Sequence, residues 1–208
     1  MELTPRDTEI LQALTRHVRI LTLPQIARTF WHSAAEPLRA ARNRIHVLAA
    51  ADMVQIQHAP AHPELTFEIP QFSWEPGQPA PDTGSIAYRL QTRWSAHPIA
   101  TVCIAATQSA ANRFHGHGGR FSRAIERSHD INLSRVYLIY RRRGLIIGWI
   151  FEEEMRGRER KDAAFLPDVV IEANGKRKVV EFGGAYPKAK LERFHQHCKA
   201  QSLSYEVW

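Results

Sequence analysis

The chain has 208 residues, 44% of them apolar, enough to bury a core in one large domain or in each of two small ones. Its formal net charge of +7 favours an anionic partner such as nucleic acid or an acidic surface. Two cysteines far apart, Cys103 and Cys198, argue against a disulfide scaffold and for a reducing compartment. Residues 1–20 lack the apolar core of a secretion signal, and no apolar run approaches the roughly 18 residues of a membrane span. The expected setting is therefore cytoplasmic, with no membrane partner.

The charge is unevenly spread. Residues 1–70 carry seven Lys/Arg against seven Asp/Glu, whereas residues 84–146 carry ten arginines against only Glu126 and Asp130. A field of one sign repels itself unless something anionic answers it.

Taken in chain order, LTPRDTEILQALTRHV places Thr4 as an N-cap and Pro5 at the first helical position, with Ile10, Leu11, Leu14 and Val18 at helical spacing. TLPQIARTFW repeats the Thr-cap pattern over a shorter helix. EPLRAARNRIHVLAAADM predicts a third helix, with Leu38, Ala41, Ile45 and Leu48 inward and Arg39, Arg42, Asn43 and His46 outward. Arg44 joins the outward residues as a candidate phosphate or base contact, since these are the types that clamp or read DNA. MVQIQ, a turn at APAHPE and LTFEIP then read as a two-stranded wing. Three helices followed by a hairpin is the winged-helix pattern, expected over residues 1–70.

Residues 71–119 are expected to be a linker and irregular segment, because QFSWEPGQPAPDTG is rich in Pro and Gly and FHGHGG in Gly and His. From Arg120 onward the expected order is helix, strand, strand, strand, helix, strand. FSRAIERSHDINLSRVYLIYRRR supplies the first helix, ending in Arg141, Arg142 and Arg143, which are candidates for phosphate contact. LIIGWIFEEE is expected to be a strand ending in acids, PDVVIEA a second, and KRKVVEFGG a third, joined to the second by a turn at Asn174-Gly175. PKAKLERFHQHCKAQ is a helix with Leu191, Phe194 and Cys198 buried, and SYEVW closes as a strand. His115, His117, His195 and His197 lack the spacing of a four-ligand zinc site, and His129 reads as a capping or core histidine.

Two carboxylates stand out, Asp168 where the second strand opens and Glu181 where the third ends. This arrangement resembles the PD-(D/E)xK nuclease superfamily. The resemblance implies an α/β domain of that type at residues 120–208, in which Asp168 and Glu181 hold Mg²⁺. A third carboxylate would come from Glu152, Glu153 or Glu126. The superfamily's lysine belongs two residues after the second acid, where this chain has Gly183, and Lys188 or Lys190 on the following helix would have to replace it.

Taken whole, the chain is an expected α+β protein in which an N-terminal winged helix-turn-helix precedes the nuclease-like domain. Its opening, LTPRDTEILQALTRHVRILTLPQIARTFW, and its layout of His129, Trp149, Glu152, Asp168 and Glu181 resemble the replication-relaxation family of plasmid and integrative-element proteins. That resemblance implies binding of double-stranded DNA in the control of a mobile element; because a winged helix needs two half-sites for useful affinity, a homodimer is expected. A Mg²⁺-dependent endonuclease delivered by the winged helix is the alternative.

Overall fold

A computed structural model describes residues 1–158, 166–173 and 175–208. The protein belongs to the α+β class. In chain order the described elements are α1 (Pro5–Arg16), β1 (Leu21–Thr22), α2 (Leu23–Phe30), α3 (Pro37–Ala50), β2 (Val54–Ala61), β3 (Phe72–Trp74), α4 (Thr83–Thr92), β4 (Ile99–Ala106) and α5 (Gln108–Phe114). They continue with α6 (Arg127–Arg142), β5 (Trp149–Phe151), α7 (Glu152–Arg158), β6 (Val169–Ala173), β7 (Lys176–Glu181), α8 (Lys188–Ala200) and β8 (Ser204–Val207). Two compact units result, each assembled from two stretches of sequence. The first is Met1–Glu64 with Pro98–Leu138, and the second Leu65–His97 with Ile139–Trp208. The division is thus interleaved rather than the serial 1–70, 71–119, 120–208 expected from composition.

In the first unit α1 starts where Thr4 and Asp7 cap each other. The Thr4 hydroxyl accepts from Asp7 N at 3.2 Å, and Thr4 N donates to the Asp7 carboxylate at 2.7 Å. Thr22 and Gln25 open α2 by the same reciprocal bonds, at 2.8 and 3.2 Å. Ala41, Ile45 and Leu48 form the buried stripe of α3. Leu38, expected inward, is instead 43% exposed, because it lies at the border of that stripe in the helix's first turn.

The wing expected from LTFEIP is also corrected. β2 continues through Pro60 to Ala61, and its antiparallel partner is β4, with register from Val54↔Ala106 to Ala61↔Ile99. Sheet order β1-β4-β2 makes β2 an edge strand, where a proline's missing N–H costs no ladder bond. The apolar run IATVCIAA suits the central position, because its second half is buried. Residues 65–70 hold no strand. Phe67 goes to the second unit, with ring centroids 6.1 Å from Phe182 and 5.8 Å from Trp208.

The segment 71–119, expected to be irregular, therefore contributes β3, α4, β4 and α5. Asp82 caps α4, its carboxylate accepting from Gly84 N and Ser85 N, each at 3.1 Å. The Gly/His stretch is the C-terminal turn of α5: His115 is left-handed at φ 51°, and a Cβ at Gly116 would come 2.3 Å from the Thr15 carbonyl oxygen. Glycine is required there by close approach.

The second unit is a five-stranded sheet of order β3-β8-β7-β6-β5. All its pairs are antiparallel except β7 with β8, and α8 makes that parallel crossover. Leu90, Val179, Leu191, Phe194, Tyr205 and Val207 belong to its core. Glu152, expected at a strand end, instead opens α7; β5 stops at Phe151 and the run of glutamates suits a helix N-terminus. Of the expected Asn174-Gly175 turn, Asn174 lies outside the described residues, while Gly175 has φ 72°. Cys103 and Cys198 are both buried and free, and burial pushes their thiols up to about 11 and about 12.

Candidate functional site

Each unit carries one of the side-chain groups singled out by sequence. On α3, the residues left over from the buried stripe are exposed: Arg39, Arg42, Asn43 and His46, with Val47 beside them. Arg39 has only a surface pairing with Glu36 at 2.9 Å, at side-chain exposures of 72% and 64%, which holds it weakly. Arg44 is different. Its Nε and Nη2 donate to the two oxygens of Asp7 at 2.9 and 2.5 Å, and Asp7 is fully buried. Burial by itself raises the Asp7 carboxyl, but bonds from Arg44 and from the Thr4 hydroxyl and amide overrule it and hold the group below the ordinary aspartate value. Arg44 thus fixes α3 to the start of α1.

The arginine run at the end of α6 is also engaged. Arg142 pairs with the Glu68 side chain, and Arg143 donates to the Glu68 carbonyl at 2.5 Å. Arg141 is half-buried.

In the second unit the register Val169↔Val180 sets Asp168 and Glu181 side by side at one end of β6 and β7. They are locked into their surroundings. Glu181, only 5% exposed, accepts from the Tyr186 hydroxyl at 2.7 Å and from Asp168 N at 3.2 Å, while the Asp168 carboxylate accepts from Phe182 N at 2.8 Å. Burial, followed by the charges of Glu181 and Asp168, pushes the Tyr186 phenol far above the ordinary tyrosine value, so it remains a donor. Glu152 reaches this neighbourhood through its backbone, Glu152 N donating to the Asp168 carbonyl at 3.0 Å, and its carboxylate bonds Arg156 at 2.5 Å. Among the described residues no group of three His, Cys, Asp or Glu side chains is placed to hold a metal ion.

Neither lysine is paired with the acids, although Lys190 lies against the ring of Tyr186, whose hydroxyl donates to Glu181. Lys188 pairs with Glu192 at 3.6 Å, and the Lys190 ammonium stands 3.3 Å from the Tyr186 ring centroid. At Gly183 a lysine would have to push aside its neighbours: a Cβ there would lie 2.7 Å from Leu90 Cδ1 and 3.0 Å from Val207 Cγ1. The cation that meets Phe182 and Gly183 is one the sequence does not single out, Arg93 at the end of α4. Its Nη2 donates to the Gly183 carbonyl and its guanidinium carbon lies 4.3 Å from the Phe182 ring centroid. A separation of 90 positions in sequence hides that contact.

His195 is buried against Tyr205, with Nδ1 3.0 Å from the phenol oxygen, and Trp74. His129 and Glu126 belong to the first unit. There His129 Nδ1 lies 3.3 Å from the buried Asp130 carboxylate, and Glu126 pairs with Arg123. No family model, curated protein or solved structure matches the chain. Among the described residues, no helix is long and apolar enough to cross a membrane.

Proposed function

We propose that the protein is a cytoplasmic, double-stranded DNA-binding regulator, related to the replication-relaxation family of mobile-element proteins. The observation that carries this reading is the outward face of α3, where Arg39, Arg42, Asn43 and His46 stand exposed while Arg44 is withdrawn to anchor the helix. The order α1-β1-α2-α3-β2-β4 with sheet β1-β4-β2 supports a winged helix whose hairpin strands are β2 and β4. On this reading α3 enters the major groove, with Asn43 suited to adenine and the arginines to guanine or phosphate. Two half-sites bound by a homodimer would supply useful affinity.

The order β5-α7-β6-β7-α8-β8, with β7 and β8 parallel, supports a PD-(D/E)xK-like second unit. Its acids do not fit a catalytic Mg²⁺ centre as they stand. Glu181 accepts Tyr186 and Asp168 donors, Asp168 accepts Phe182 N, and the place of the superfamily's lysine is filled by packed Leu90 and Val207 atoms around Gly183. The unit is read as a structural descendant of a nuclease.

The test is a titration of duplex recovered from a random-sequence pool, at fixed salt. Arg39→Ala combined with Arg42→Ala should weaken binding by about tenfold or more and flatten the salt dependence by roughly one unit of slope per lost phosphate contact. Unchanged affinity removes α3 as the reading helix. Mg²⁺-dependent nicking of supercoiled plasmid that vanishes in Asp168→Ala would overturn the non-catalytic assignment and favour an endonuclease.

A further inference from the structure

The Arg93 side chain is half-buried, and its surroundings leave two of the guanidinium nitrogens unanswered. Only Nη2 has a protein acceptor, the Gly183 carbonyl. Nε and Nη1 are shut off from solvent and find no hydrogen-bond partner among the described residues. No described carboxylate pairs with Arg93; Glu181, the acid nearest in the chain to its Phe182 and Gly183 contacts, is occupied by Tyr186 and Asp168 N. What the group has instead is aromatic: its carbon lies 4.3 Å from the Phe182 centroid and 5.6 Å from that of Trp94. Cation–π contact offsets part of the cost of covering the charge but satisfies no N–H. Burial lowers the guanidinium to about 10, so it remains charged at neutral pH. Buried donors without acceptors ask for a missing ligand.

We propose that Arg93 is the anchor of an anion-binding subsite in the second unit that takes a phosphate oxyanion, with the Trp94 indole as the wall for whatever the phosphate carries. Guanidinium favours oxyanions of this shape, and a half-exposed indole beside it is a surface on which a base stacks. The phosphate has two possible sources, free orthophosphate or a nucleic-acid strand. The site is independent of the α3 reading, since every residue in it belongs to the second unit. Because Nε and Nη1 are covered, the oxyanion reaches them only when the guanidinium shifts, and that shift changes its position beside the Trp94 ring, now 5.6 Å from the guanidinium carbon. Occupancy is therefore coupled to the environment of Trp94.

The experiment uses the full chain in EDTA at constant ionic strength, with orthophosphate or a 5′-phosphorylated thymidine tetranucleotide replacing chloride. Tryptophan fluorescence should change saturably, and the change should be lost in Trp94→Phe. Arg93→Gln should weaken the apparent affinity at least about tenfold, with partial rescue by Arg93→Lys. A second measurement needs no variant: phenylglyoxal modification of Arg93, located by mass spectrometry, should be slowed by the ligand. Tighter binding of the tetranucleotide assigns the site to a nucleic-acid strand, and equal binding assigns it to free phosphate. Titrations that are the same in wild type and Arg93→Gln, or no saturable response together with no protection of Arg93, overturn the proposal.

Discussion

The α3 face and the acid pair are both runs of polar residues that the sequence offers as chemistry, and the fold treats them oppositely. On α3 one arginine is withdrawn to anchor the helix, and the remaining polar side chains are left to solvent. At the β6 and β7 ends Glu181 is buried and Asp168 half-buried, and hydroxyl and backbone donors meet both. Residue type alone does not make a site; what distinguishes the two is whether the lone pairs and donors are already used. A buried carboxylate with its oxygens filled has been taken into the structure. An exposed arginine weakly tied to one neighbour remains available to a phosphate.

The comparison breaks if lysine can be restored to the acid pair. Gly183→Lys should cost about 3 kcal/mol or more in denaturant unfolding, since the side chain must displace Leu90 and Val207 and bury an ammonium. It should also fail to produce nicking. A stable, cleaving Gly183→Lys protein would show that the acid pair is a site needing only its cation. Next in size is the anchor of the opposite face. Asp7→Ala removes the α1 cap and leaves Arg44, 27% exposed, to be met by solvent, and should cost about 2 kcal/mol, measured the same way. Arg44→Ala, which strands a fully buried Asp7, should cost a similar amount. DNA affinity in Arg44→Ala should fall through disordering of α3, so that added stabilising osmolyte restores it; a loss that osmolyte leaves untouched would make Arg44 a direct contact after all.

Much of this was legible locally. Thr4-Pro5 and Thr22-Leu23-Pro24 announce helix starts because a cap and its donor lie three residues apart, and the α3 stripe follows from period 3.6. The adjacency of Asp168 and Glu181 was also readable, as two strands joined by a short turn must pair in register. What stayed hidden is non-local. LTFEIP alternates like a strand, yet β2 pairs with β4 some forty positions on, because IATVCIAA offers a more apolar partner for the centre of a sheet. The residues between them, which proline content marks as linker, carry β3 and α4 into the other unit, and only there does Arg93 meet Gly183. The glycine at the lysine position looked like a missing catalytic group. The packing of Leu90 gives it a positive reason.

The smallest expected effect concerns acid in the interior of the second unit. Burial, followed by the charge of Lys199, holds the His195 imidazole below its ordinary value. Tyr205 and Trp74 pack against the ring, and its Nε2 is buried with no partner among the described residues, so an added proton would find no acceptor there. In the unfolded chain the same imidazole titrates near 6.5. As pH falls below that value the unfolded state takes up a proton that the folded state refuses, and stability declines until the folded value is passed. The slope from this one group stays under about 1.4 kcal/mol per pH unit. His195→Phe removes the titration. Its unfolding free energy, followed from pH 7 down to pH 5, should fall less steeply than that of the wild type, while Asp7, whose carboxyl is held low, contributes its own loss only at more acidic pH. Parallel wild-type and His195→Phe curves would mean that the ring accepts its proton in the folded state, and that this unit's interior is more open to water than its satisfied acid pair implies.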